Sequence, residues 1–207
     1  MRRFAAFVQI WLLWLAGCAL LTALSFGYVD LPVARHFWNT GRFLQPLNSG
    51  LGAAVVLSCE SALTVGLVLS RLIRGHLSRL GTTLVIACLA SICTYAFNDI
   101  VLKPWFGVPV PLAVMAGAAH RFDFFAGPGN YSFPSGHMAL AASFAGVCMS
   151  LYRVAFWSLA ALLVLTAVLL VVGDWHFVSD VIAGSFVGLT AGLLAGEVWR
   201  LHAGQRS

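Results

Sequence analysis

The sharpest chemical pair in the sequence is His176 and Asp180, in GDWHFVSDVIAG (173–184). Four residues apart, they share one face of a helix, one turn from each other. An imidazole with one nitrogen held by a carboxylate presents the other as a nucleophile or base with a fixed tautomer. The structural alternative is a His/Asp pair that merely satisfies itself at a helix end, but ionisable groups at a membrane span favour function. A second histidine, His137, lies in YSFPSGHMAL (131–140). Pro134 stops a loop there, Ser135 can cap the helix that follows, and Gly136 lets a ligand approach the backbone. The free N–H groups of such a helix start form a site for an anion, phosphate above all, and His137 at the same point can donate a proton to a leaving oxygen. Alone, Pro-Ser-Gly-His also describes a plain capped helix; opposite a second histidine with an aspartate partner, that reading weakens.

Lys103, in NDIVLKPWFGVPVP (98–111), ends an apolar run and can neutralise phosphate as a point cation. Interfacial snorkelling or a pair with Asp99 one turn earlier would explain it equally well. Arg121 is the only arginine in the loop that leads to His137 and could grip phosphate, or pair with Asp123 at the surface. Asn130 could give a neutral hydrogen bond. Asp174 would repel phosphate; capping the last helix or meeting a cationic head group suits it better. Glu60 falls near the middle of an apolar run, where it is costly as a charge, so protonation or a hydrogen bond between helices is expected, with substrate handling the lesser reading. The five cysteines all lie in apolar stretches without CxxC spacing, so they form neither a disulfide nor a zinc framework. No metal or cofactor site is expected, and the scattered Lys and Arg make no nucleic-acid patch.

The elements that must carry these residues are apolar. Of 207 residues, 60% are hydrophobic and 9% charged, against about 25% charged in soluble domains. Six apolar stretches, approximately 4–26, 51–70, 81–102, 135–152, 154–173 and 177–199, approach the roughly 20 residues that cross a bilayer. They lack strand alternation, and backbone groups in lipid must be satisfied internally, so they are expected to be helices. The expected fold is an all-α integral membrane protein: one domain, a six-transmembrane-helix bundle, with no internal repeat. With the N-terminus cytoplasmic, Arg2, Arg3, Arg71, Arg74, Arg79, Arg153, Arg200 and Arg206 fall inside, and Arg35, Arg42, Lys103 and Arg121 fall outside. That bias places both termini in the cytoplasm. Lys103, Ser135 and His176 then meet at the non-cytoplasmic face.

The N-terminus has a competing reading, since Leu-Ala-Gly-Cys ending at Cys18 resembles a lipoprotein signal; the apolar run continues past it, which favours a retained helix. Residues 27–50, with Asp30, Pro32 and Phe/Trp among basic residues, suit a short interfacial helix, an anchor or a lateral gate for lipid. The tryptophans read mostly as belt or packing residues.

The order Lys103, Pro-Ser-Gly-His, His-x-x-x-Asp resembles the type 2 phosphatidic acid phosphatase family over residues 98–184. The resemblance implies that His176 attacks phosphorus, Asp180 orients it, and His137 protonates the leaving group. It also implies that Lys103, Ser135 and Gly136 hold the phosphate oxygens, with no metal ion. The family's arginines do not carry over: their positions hold Val108, Val110 and Leu170. A charge-assisted bond to phosphate contributes about 1.5–3 kcal/mol, so a substitute such as Arg121 is expected. The leading function is a phosphatase acting on a lipid phosphate among membrane lipids, at the periplasmic face of a bacterial inner membrane. Alternatives are a head-group phosphotransferase on the same site, a non-catalytic lipid-phosphate binder and, least fitting, vanadate-dependent oxidation.

Overall fold

The computed structural model of the chain describes residues 2–38 and 51–204, all-helical apart from turns, loops and one isolated bridge. Helix α1 (Arg2–Leu24) passes through a π-helical turn, Ser25–Val29, into α2 (Asp30–Phe37). The expected interfacial helix is therefore not separate: it prolongs the first span, which runs from Gln9 to Phe37. Residues 39–50, with Arg42, lie outside the described residues. After α3 (Leu51–Arg74), α4 (Arg79–Phe97) likewise continues through a π turn, Asn98–Leu102, into α5 (Lys103–Phe106). Lys103 thus sits inside a helix that reaches Phe106, not at its end. One device serves both places. Proline clashes with the carbonyl four residues back, and for Pro32 and Pro104 those carbonyls, on Tyr28 and Ile100, lie in the widened turns. The helix stops at Gly107, whose φ is +61° and whose missing Cβ makes room for the Asp123 carbonyl.

The chain continues through α6 (Pro111–Met115), a loop, α7 (Gly136–Leu151), a single 3₁₀ turn, α8 (Phe156–Val172) and α9 (Val178–Gly204). Among the described residues five helical stretches are long and apolar enough to cross a membrane; the expected fourth span is the shorter α7, of 16 residues. At about 1.5 Å per residue α7 is roughly 24 Å long, short of the ~30 Å hydrocarbon core. It compensates by being enclosed. Most of its side chains are buried, whereas α1, α3 and α8 turn Leu13, Leu72, Ile73, Val164 and Leu169 outward. An outward apolar face of that extent belongs to a multi-pass membrane protein.

The heart of the bundle is the contact of α7 with α9. Gly184, Gly188, Gly192 and Gly196 recur every fourth residue and form one stripe down α9, against the α7 backbone. A Cβ at Gly184 would lie 2.5 Å from the Ser135 carbonyl oxygen, so any side chain would drive the helices apart. Small-residue stripes of this kind let membrane helices approach closely where no hydrophobic force from water operates. Polar bonds add to the packing from α4: Ser91 donates to the Leu140 carbonyl at 3.1 Å, and Thr94 meets Ser143 at 3.1 Å.

Candidate active site

The close α7–α9 contact brings two helix starts together. Ser135 caps α7, its hydroxyl oxygen accepting from the Met138 N–H at 3.2 Å, and its own N–H donates to the Asp180 carbonyl at 3.0 Å. The Ser135 N–H is therefore engaged, and the amides of Gly136 and His137 have no recorded partner. Tyr95 explains the glycine at 136: a Cβ there would meet its ring at 3.1 Å. From the π turn, Asn98 donates to the Pro134 carbonyl at 3.0 Å and fixes the approach to the cap.

The start of α9 is held from two sides. Asp180 accepts from the Phe177 N–H at 2.8 Å, the return half of a capping box. Asp30 of α2 accepts from the Ser179 N–H at 3.0 Å and from the Ser179 hydroxyl. His120 stands 3.5 Å from Asp30, stacked on Phe26 and tilted against Phe177. Asp174 does not cap this helix. It is buried in a left-handed conformation, φ +56°, with Oδ2 unpartnered, and burial pushes its carboxyl up to about 6.

These anchors leave His137 Nδ1 3.2 Å from His176 Nε2, while His176 Nδ1 lies 3.5 Å from Asp180 Oδ2. The tautomer that suits both contacts has the proton of His176 on Nδ1, facing Asp180, and a lone pair on Nε2. The longer contact is of the kind that tightens when substrate binds. Burial, and then the Lys103 charge, push His176 down to about 3 against the opposing pull of the Ser132 carbonyl, so the ring is neutral at ordinary pH. The Lys103 ammonium itself bonds Asp99 at 2.8 Å. Arg121 is exposed and makes no recorded ion pair or hydrogen bond, with Asp123 or any other described residue.

Two of the three positions where the resemblance puts arginine are filled with hydrocarbon; the third, Val110, is half-buried at the start of α6. Val108 is fully buried in a cluster with Phe133, Phe106 and Phe122, and Leu170 belongs to the core around Met138 and Ala142. The loop between α6 and α7 is pinned over this cluster by Asp123 N–H to Phe106 O, 3.0 Å, and Ser132 N–H to Val108 O, 2.9 Å.

A cavity of about 850 Å³ opens between α3, α7 and α8. His137 and Trp175 stand at its head, and Leu140, Phe144, Leu162 and Leu159 line it downward. Among the described residues Glu60 is its only carboxyl group.

Sequence reasoning missed Asp30, His120, Asn98 and Ser132. The available signal was the cost of placing polar groups in or beside apolar spans, which demands partners for each. It also missed the glycine stripe, visible as GxxxGxxxGxxxG over 184–196.

A family model described as the PAP2 superfamily matches residues 80–202. No curated protein and no solved structure matches the chain.

Proposed function

The chain belongs to the PAP2 superfamily, whose membership supports phosphatase- or phosphotransferase-type activity, and from that premise we propose that it hydrolyses a phosphate ester or diphosphate of a membrane lipid through a phosphohistidine on His176. The observation that carries the proposal is the 3.2 Å contact of His137 with His176 Nε2, with Asp180 behind the opposite nitrogen.

Substrate phosphorus takes the place of that contact. The Nε2 lone pair attacks phosphorus and the bond to the lipid oxygen breaks. His137, bearing a proton, transfers it to that oxygen, and Asp180 balances the positive charge on the phosphorylated ring. Water then attacks phosphorus, gives a proton to His137, and breaks the P–N bond, so phosphate leaves and both rings return to their starting state. Lys103, the Gly136 amide at the start of α7 and the Ser135 hydroxyl proton hold the phosphate oxygens, with Arg121, from the loop that leads to Ser135, as a further cation. Arg121 works only through side-chain movement or loop closure. With the termini cytoplasmic, as the arginine bias favours, the site faces the periplasm of a bacterial inner membrane. A lipid hydroxyl in place of water would make the same site a phosphotransferase.

The test is phosphate release from a panel of lipid phosphates in detergent, for wild type and His176→Ala, with acid-labile radiolabel on the protein as a second readout. Release and labelling that both vanish in the variant are expected. Labelling without release, restored to turnover by an added lipid alcohol, would favour the transferase. Release that survives in His176→Ala would overturn the mechanism.

A further inference from the structure

The groove below His137 has one feature that its apolar lining does not require. Glu60 of α3 is only 8% exposed, faces the cavity wall, and leaves Oε2 without a hydrogen-bond partner. A carboxyl group with an unused oxygen is costly among Val56, Leu63 and Leu163, and replacing it by hydrocarbon would cost the bundle nothing in packing.

Its depth can be read from its neighbours. Glu60 lines the same cavity as Leu140, whose carbonyl accepts from the Ser91 hydroxyl of α4. Leu140 is three residues beyond His137 on α7, so the part of the cavity that Leu140 lines together with Glu60 begins about one helical turn, roughly 5 Å, below His137. In an acyl glycerolipid phosphate about five bonds separate phosphorus from the nearer acyl carbonyl carbon, roughly 6 Å when extended. From the level of the histidines, where the Trp175 and His176 amides meet the Leu170 carbonyl, the groove follows α8 down to Leu159, roughly 16 Å, of which about 11 Å is left for a hydrocarbon tail below the first turn.

The groove itself discriminates little. A lipid tail leaving the bilayer for a protein groove exchanges one apolar surrounding for another, so tail burial orients the substrate without much affinity. A hydrogen bond formed in that dry setting does discriminate, because a ligand lacking the partner leaves the carboxyl group unpaired.

We infer that Glu60 is a specificity residue: its carboxyl group, in the acid form, donates a hydrogen bond to an acyl carbonyl of a lipid phosphate whose tail lies in the α3–α7–α8 groove. The inference rests on the lipid-phosphate reading above and narrows it. Acyl-bearing lipid phosphates are substrates in preference to isoprenoid phosphates, whose tails carry no carbonyl.

The experiment compares dioleoyl phosphatidic acid with its dioleyl ether analogue, which has the same head and tail length but no carbonyl. The full chain in detergent is assayed as wild type, Glu60→Leu and Glu60→Gln. Wild type should favour the ester at least tenfold in kcat/KM, the size of one net hydrogen bond. Glu60→Leu should bring that ratio close to one, and Glu60→Gln, which keeps an N–H donor, should restore most of it. A wild-type ratio near one, or a Glu60→Leu variant that slows both lipids equally, would overturn the inference.

A turnover-free arm separates this from failure of the enzymatic reading. Ester and ether lipids with a photoreactive group in the tail are crosslinked to the protein, and labelled residues are mapped. Labelling of the groove by the ester lipid, reduced about tenfold in Glu60→Leu, would sustain the inference even if no phosphate were released from any lipid. Labelling confined to other helix faces, or equal for ester and ether, would overturn it even if the enzyme were active.

Discussion

Two buried regions around the start of α7 are built on opposite principles. In one, His137, His176 and Asp180 are held by a buried polar frame in which Asp30, Asn98 and Ser135 each fix a helix end. In the other, where relatives are expected to clamp phosphate with arginine, Val108 is 0% and Leu170 4% exposed. Those two numbers decide how the difference is read. The arginines have not simply been deleted to leave a hole; hydrocarbon packing has closed over their places. In the proposed mechanism the attacking histidine is held by this polar frame, while the charge to bind phosphate would come from Lys103, the start of α7 and the loop. A pocket of this kind holds its nucleophile firmly and its anion weakly, and leaves selection of the lipid to contacts farther from phosphorus.

The strongest way to break this comparison is to remove the nucleophile. His176→Ala should lower phosphate release on the order of 10³-fold or more, and His137→Ala on the order of 10²–10⁴-fold, with the fold intact by thermal unfolding in detergent. Asp180→Asn should fall between a full loss and a mild one, about 10²-fold, because the carboxyl group orients the ring and also caps α9 through Phe177. Retention of a tenth of wild-type activity by His176→Ala would end the claim that this flank carries the chemistry.

The next test writes the missing arginine back. Val108→Arg places an unpaired charge in the cluster of Phe106, Phe122 and Phe133. The expected outcome is a loss of about 3–5 kcal/mol in stability and no gain in activity. An intact fold with faster turnover would mean that the clamp position is still open to the site and the two flanks are less different than their packing indicates. Lys103→Met should then cost roughly 10- to 150-fold in kcat/KM, the equivalent of one charge-assisted bond of about 1.5–3 kcal/mol. The Asp99 pair makes the lower end the better expectation, since a lysine already bonded has less to give.

Much of this was legible in the sequence, and the limits have physical causes. Apolar stretches and the order of His137, His176 and Asp180 followed from composition and spacing, because lipid permits few alternatives to helices. The π turns were not legible: Lys103-Pro104 looks like a helix end to any rule that treats proline as a terminator, and only the preceding turn shows how the helix continues. Asp30 read as a loop cap because its partner, Ser179, is 149 residues away. Val108 and Leu170 could be recognised as departures, but whether they left a gap or a packed core depends on Phe133 and Met138, which no spacing links to them.

The two shifted groups outside the spans give a smaller, signed effect. His176 falls from 6.5 to about 3 on folding, so its contribution to stability is present above pH 6.5 and is lost as pH falls towards about 3. Asp174 rises from 3.8 to about 6, so its contribution is present below pH 3.8 and is lost as pH rises through about 6. The two slopes oppose each other and nearly cancel between pH 4 and 6, so Asp174→Asn should leave the His176 slope unopposed, and stability should climb with pH across that range more steeply than in wild type. Unfolding midpoints measured across that range check it; an unchanged profile would mean that the buried carboxyl group does not titrate there.

The smallest effect expected is at Arg121, and it tests whether the weak flank is truly weak. Its backbone follows His120, which Asp30 and two aromatic rings hold in place, yet its own side chain is exposed. An exposed guanidinium contributes about 0.2–1 kcal/mol to an ion pair and loses most of that to salt. Arg121→Ala should thus raise KM about two- to fivefold at low ionic strength, with the difference fading as salt is added, and should combine additively with Lys103→Met. A loss of more than thirtyfold that resists salt, or strong coupling to Lys103, would show that the loop closes and buries the guanidinium against phosphate. The arginine clamp would then have moved to the loop, and the flank packed with Val108 and Leu170 would be only the place it moved from.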